Sequence, residues 1–210
     1  SATELTGQVC SALTRVIVSK HRHDELVDAL SVEFAKVTVG DPFDAASDMG
    51  PVAMERQRDS IEKLIAAGLR EGAKLATGGH RPEGLDRGYY IEPTILRNVD
   101  NRSTIARNEV FGPVLSVIPA DDECHQIEIA NESIYGLNSA VFTNDGNRAW
   151  KFARRIRSGT VGQNAHRNSH AIAFGGFKQS GIGREGGREG LLPYLETKSV
   201  ILDSEPSAMA

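Results

Sequence analysis

Gly7-Gln8-Val9-Cys10-Ser11-Ala12-Leu13-Thr14-Arg15-Val16-Ile17-Val18 sets a cysteine among small and polar residues, directly before a β-branched apolar run. Thr14 to Val18 predicts a buried strand, because β-branched side chains pack well on a pleated surface. A thiol at the entrance to such a strand serves as a nucleophile where its surroundings favour the thiolate. Taken alone, a cysteine beside a strand is more often an inert small hydrophobe, so its neighbours must decide.

Outward from this strand the pattern changes period. Asp24 to Lys36 carries Leu26, Val27, Leu30 and Phe34 at helical spacing, and Met54 to Glu71 carries Ile61, Leu64, Ile65 and Leu69 on one helical face. Gly72 follows as a C-terminal cap. Gly40-Asp41-Pro42 and Met49-Gly50-Pro51 are turns. Lys74 to Thr77, Tyr89 to Leu96 and Val114 to Ile118 read as strands, with Pro93 marking an edge or a bulge. Asp121 to Ser133 reads as a helix with an acidic start, as the helix dipole favours, and Gly136 as its cap. Ser139 to Thr143 is a strand. Asn144 to Asn147 turns into a helix through Trp150, Ala153 and Ile156, and Thr160 to Gln163 is a further strand. A Gly-rich loop runs from Asn164 to Gly187, and Lys198 to Leu202 is a last strand before a polar tail that holds Pro206. Strands alternating with amphipathic helices predict an α/β layered domain, with a largely parallel open sheet flanked by helices. The division expected is a catalytic unit over 1–197 and a strand with a mobile tail over 198–210.

Composition narrows the function. A hydrophobic share of 40% in 210 residues suffices for a core, and a net charge of −4 argues against a nucleic-acid or anionic-membrane surface. No apolar run reaches membrane-spanning length. Ser1 to Thr6 has no secretory pattern, and two cysteines, Cys10 and Cys124, give no disulfide framework, so a cytoplasmic setting is expected. Cys124, near Ile127, is expected in the core. Arg154, Arg155 and Arg157 read as a solvated cluster at a helix end.

Further motifs follow in order: Gly40-Asp41-Pro42, Glu71-Gly72-Ala73-Lys74, Gly88-Tyr89-Tyr90-Ile91-Glu92-Pro93-Thr94, Glu109-Val110-Phe111-Gly112-Pro113, Ala130-Asn131, Tyr135-Gly136-Leu137 and Phe174-Gly175-Gly176-Phe177-Lys178. Each is modestly specific. On residue type alone, Glu109 and Phe111 would be a solvated carboxylate and a core ring. Together with Gly-Gln-x-Cys-x-Ala-x-x-Arg, their order along one chain resembles the aldehyde dehydrogenase superfamily, from the nucleophilic cysteine onward. Gly181-Ile182-Gly183-Arg184-Glu185-Gly186 also fits Gly-x-Gly-x-x-Gly. No strand precedes it, however, so it reads as backbone turns and not as a pyrophosphate site.

The resemblance implies oxidation of a small-molecule aldehyde to an acid through a thiohemiacetal and a thioester on Cys10, with NAD or NADP as cofactor. It implies that Glu109 holds the nicotinamide ribose and that Phe111 packs beside it. Phe174 and the segment His166 to His170 would line the aldehyde tunnel. The polar content of that segment suggests a substrate with a polar or anionic tail. Two departures stand out: Ala173 where a proline is usual, and Gly162-Gln163 where Trp-Val is usual before Asn164. His166 and His170 lack a third ligand at a recognisable spacing, so no metal is expected. The family's asparagine oxyanion donor, its glutamate base and its dinucleotide-binding domain match nothing in these residues. The chain by itself is therefore expected to be inactive. A non-enzymatic remnant or interaction module is the alternative. In the family, a strand like Lys198 to Leu202 joins subunits, which implies a homo-oligomer.

Overall fold

The computed structural model describes residues 1–167, 169–204 and 207. Asn168, within the expected substrate segment, and most of the tail beyond Ser204, Pro206 included, lie outside the described residues. The elements run β1 (Arg15–Ser19), α1 (His23–Phe34), α2 (Glu55–Arg70), β2 (Lys74–Thr77), β3 (Thr94–Arg97), α3 (Thr104–Arg107), β4 (Val114–Ala120), α4 (Glu123–Asn131), β5 (Asn138–Val141), α5 (Gly146–Ala153), β6 (Thr160–Gln163) and α6 (Gly187–Leu191).

Period-2 alternation organises the main sheet. Its order is β1-β4-β3-β2, parallel at β1/β4 and β4/β3 and antiparallel at β3/β2. Val114, Ile118 and Ala120 of β4 face α2 and α4 with Leu96, Ile61, Ile65 and Ile129. Leu115 and Val117 face the other way, with Ile95 and Val27 of α1. Both faces are thus covered, as a parallel sheet requires. Each large aliphatic side chain so buried contributes about 1.5–3 kcal/mol. A second, parallel pair, β5 and β6, is joined through α5 and is only half-buried. The expected parallel sheet is therefore split in two.

Caps set the helix boundaries. The Asp122 side chain accepts from the His125 N–H at the start of α4, and Asp145 accepts from Asn147 and Arg148 at the start of α5. Gly72, at φ +105°, ends α2 as expected.

Several expectations are corrected. Tyr89–Pro93 lies outside the ladder, and β3 is an interior strand; Pro93, with no N–H to give, stands just before it. The bulge sits on the partner strand, between Leu75 and Thr77. Gly136 caps no helix, since α4 ends at Asn131; a Cβ there would meet the Arg157 carbonyl instead. Leu69 and Cys124 are exposed, because their helices turn other residues, Ile65 and Ile127, to the core. The short helices α3 and α6 lacked a periodic signal. Among the described residues Lys198–Leu202 pairs with no strand, and Val200, Ile201 and Leu202 are exposed. No described helix is long and apolar enough to cross a membrane.

Candidate active site

The cysteine stands on a tight turn. The Ala12 N–H donates to the Val9 carbonyl at 3.0 Å, which leaves Cys10 and Ser11 as the two central residues. Cys10 is free and exposed, whereas Ser11 is buried. The approach to the turn is strained, with Leu5, Thr6 and Gly7 all at positive φ. Such non-glycine positions cost about 1–3 kcal/mol each and persist only where surroundings over-determine them. Here the Thr6 hydroxyl donates to the Gly50 carbonyl at 3.2 Å, and the Ala53 N–H donates to Gln8 Oε1 at 3.1 Å.

Gly7 explains the strain. A Cβ at Gly7 would overlap the Gly112 carbonyl group and the Pro113 nitrogen. The chain leading to Cys10 therefore lies directly on the loop that carries Glu109 and Phe111. Phe111 is itself at φ +51°, a conformation few bulky residues adopt. The Gln57 side chain, from α2, donates to the Val110 and Phe111 carbonyls, both at 2.9 Å, and so holds the loop. Gly112 is required because Ile61 occupies the space its Cβ would need. Glu109 is exposed, and Phe111 is 37% exposed.

The third expected element arrives from β6. Phe174 is half-buried, and its N–H and carbonyl pair with Glu185 at 2.7 and 2.8 Å. Gly181, Gly183 and Gly186 are at positive φ in a loop that follows a helical turn at Lys178–Ser180, not a strand. The glycine pattern there makes bends. A groove of about 510 Å³ runs along Thr160–Asn164, Arg167 and Ile172. Among the described residues, no group of three His, Cys, Asp or Glu is placed to hold a metal.

Comparison with known proteins follows this geometry. The sequence pattern of the Aldehyde dehydrogenase family matches residues 1–200. The chain belongs to the aldehyde dehydrogenase family. It is similar to a Mycobacterium tuberculosis aldehyde dehydrogenase solved with NAD+, with a TM-score of 0.94 and 44% identity, covering 99% of this chain and 43% of that one. A Staphylococcus aureus betaine aldehyde dehydrogenase solved with NAD+ gives a TM-score of 0.92 and 40% identity, over 99% of this chain and 42% of that one. A cysteine-to-alanine variant of aldehyde dehydrogenase C from Pseudomonas syringae, solved with NAD+ and octanal, gives 0.91 and 39%, over 96% and 42%. The chain spans about 41% of the length of the first curated relatives it matches.

Within this aldehyde dehydrogenase chain, the motif residues divide into presenting and supporting groups. Arg15 ends the cysteine motif and reaches toward the end of α4. Its guanidinium bonds Asn101 and donates to the Ile129 carbonyl at 2.9 Å, which ties β1 to α4. Burial lowers its pKa, with Arg107 adding to the effect and Glu132 opposing it. Lys178 donates to the Asn131 and Ser133 carbonyls at 2.7 and 2.8 Å, just past the end of α4. Burial, then Arg157 and Arg15, lowers its pKa too. Asn131 accepts from the Arg157 N–H and donates to the Arg155 carbonyl.

Three residues near the site escaped sequence reading. Gln57 shows only as a polar position on α2. Asn138 donates its amide to the Ser11 carbonyl at 3.1 Å; its signal was an asparagine opening a strand after Tyr-Gly-Leu. Ser11 itself read as a filler beside the cysteine.

Proposed function

We propose that the polypeptide carrying this chain oxidises an aldehyde to a carboxylic acid with NAD or NADP, and that Cys10 is its nucleophile. The observation that carries this reading is the close approach of Gly7 to Gly112-Pro113, which brings the exposed thiol's turn against the Glu109–Phe111 loop. The Cys10 sulfur, as thiolate, bonds to the carbonyl carbon while the C=O π pair moves onto oxygen. The Cys10 backbone N–H is one donor to that oxyanion. The C=O bond then re-forms as the C–H bond breaks and its electron pair leaves as hydride, which gives a thioester on Cys10. Water adds to the acyl carbon and gives up a proton, the C–S bond breaks with its pair on sulfur, and the acid leaves.

A nicotinamide dinucleotide fits the second loop. Glu109 offers an exposed carboxylate to two ribose hydroxyls, bonds of the stronger charge-assisted kind. Phe111 packs its ring beside them. When bound, the cofactor supplies the hydride acceptor. Phe174 serves the substrate side, and the polar His166–His170 segment suits an aldehyde with a polar or anionic tail. The 210 residues taken alone hold no match for the family's base or second oxyanion donor, and by themselves they are expected to be inactive.

Cys10→Ala in the complete encoded polypeptide is expected to lower aldehyde-dependent reduction of the nicotinamide by a factor on the order of 10³. Undiminished turnover would overturn the reading. A second reading, an interaction module, draws on the exposed Phe142, Trp150, Ile182 and Ile201. A subunit contact through Lys198–Leu202 would cover part of that surface.

A further inference from the structure

Ser11 is gripped at both ends. Its carbonyl accepts from Asn138 Nδ2, and its buried hydroxyl lies 3.1 Å from His166 Nε2. Ser11 shares the centre of the turn with Cys10, so whatever fixes Ser11 restrains the peptide that joins it to Cys10 and with it the setting of the thiol.

His166 reaches this position because of how its loop begins. Asn164 is pinned to the end of β5: its Oδ1 accepts from the Thr143 N–H at 2.7 Å, its Nδ2 donates to the Thr143 carbonyl at 3.0 Å, and its own N–H donates to the Val141 carbonyl. The loop then folds back over β6 so closely that a Cβ at Gly162 would overlap the Ala165 carbonyl. Gly162 stands where the family pattern usually has tryptophan. The small residue and the histidine are therefore one device, in which the vacated volume lets the loop return and set an imidazole against Ser11.

We infer that His166 is a positioning residue for the nucleophile, acting through the Ser11 hydroxyl, and that Gly162 is what makes room for it. The inference rests on Cys10 being the nucleophile. It also ties the loop that carries Phe174 to the turn that carries the thiol.

The test uses the complete encoded polypeptide. His166→Phe keeps a ring of similar size and loses the polar nitrogen. It is expected to lower kcat about tenfold and leave KM for the dinucleotide unchanged, the pattern of a displaced reacting group. It should also change the rate at which iodoacetamide alkylates Cys10. His166→Gln keeps a polar amide near the same place and is expected to recover kcat to within about threefold of the parent, which loss of folding alone would not do. Ser11→Ala should match His166→Phe, and the double variant should lose no more than either single one. Gly162→Ala should give the same pattern as His166→Phe. The inference falls if kcat and alkylation rate in His166→Phe stay within about twofold of the parent, or if the losses multiply in the double variant. If Cys10→Ala keeps full turnover, the proposed function falls instead, and the alkylation rates still decide whether His166 holds the turn.

Discussion

In the four-stranded sheet and the segments packed on it, Ile61, Ile91, Ile95 and Leu96 are fully shielded from water. Beyond residue 130, Phe152 is the one buried hydrophobic side chain among the described residues. That second region coheres by other means. Gly136, Gly162 and Gly176 are buried, and at each a Cβ would strike backbone atoms, those of Arg157 from a separate segment at Gly136 and those of Ala165 and Ser180 where the chain doubles back at the other two. Polar side chains do the rest: Lys178 and Asn131 at the end of α4, Ser180 on the Gly136 N–H, and Asn138 and His166 on Ser11. The thiol turn lies where the two regions meet. The difference teaches that its anchorage to the first region joins close packing at Gly7 to bonds at Thr6 and Gln8, whereas its link to the substrate-side loop is a matter of hydrogen bonds.

Three experiments break or sharpen this contrast. The largest effect belongs to Ile61→Ala, which removes a fully buried side chain shared by α2, the core and Gly112. A loss of about 2–5 kcal/mol in urea unfolding of the complete polypeptide is expected, as for other large-to-small core changes. A loss under about 1 kcal/mol would mean that packing does not hold this region.

Lys178→Met should cost less, about 1–2 kcal/mol, because it removes two charge-assisted bonds from a half-buried site. Limited proteolysis should place the added susceptibility beyond residue 130. Cleavage within the four-stranded sheet instead would contradict the division.

The smallest effect is a pH dependence. The Thr104 hydroxyl and N–H donate to the Glu71 carboxylate and hold its pKa below the ordinary value. A depressed carboxyl adds stability above its unfolded pKa, about 4.3 for Glu, and this is lost as pH falls through the lower folded value. The acid-side decline in the urea midpoint should therefore be shallower in Glu71→Gln than in the parent. Identical slopes below about pH 4.3 would remove Glu71 from the acid response. Asp24, held down by His23, and Glu62, held down by Arg81, lie in the same packed region. The acid response should accordingly belong to that region.

Much of the fold was legible where one periodicity held. Leu115 and Val117 alternate with Val114 and Ile118 on β4, and Ile61 and Ile65 share a face of α2, so their elements followed from spacing alone. The starts of α4 and α5 were readable from the acidic start at Asp121 and the turn over Asn144–Asn147, whereas the caps themselves, Asp122 and Asp145, came from the structure. Gly136 misled in another way. A glycine after a helical stretch suggests a cap, but this one admits the Arg157 carbonyl from a distant segment. Cys124 misled because one buried neighbour, Ile127, does not fix the facing of a residue three positions away.

The sequence by itself determined the elements that keep one periodicity and the ordered motifs around Cys10, Glu109, Phe111 and Phe174, whose likeness to a family is what suggests roles for those residues. Short-range constraints carry that information, since residue type, turn chemistry and period act within a few positions. Only the tertiary structure decided that Gly7 rests on Gly112, that Gln57 holds the Phe111 loop, and that Asn138 and His166 both grip Ser11. Those contacts join segments dozens of residues apart, and hydrogen-bond geometry and excluded volume across such distances exist only once the chain has folded.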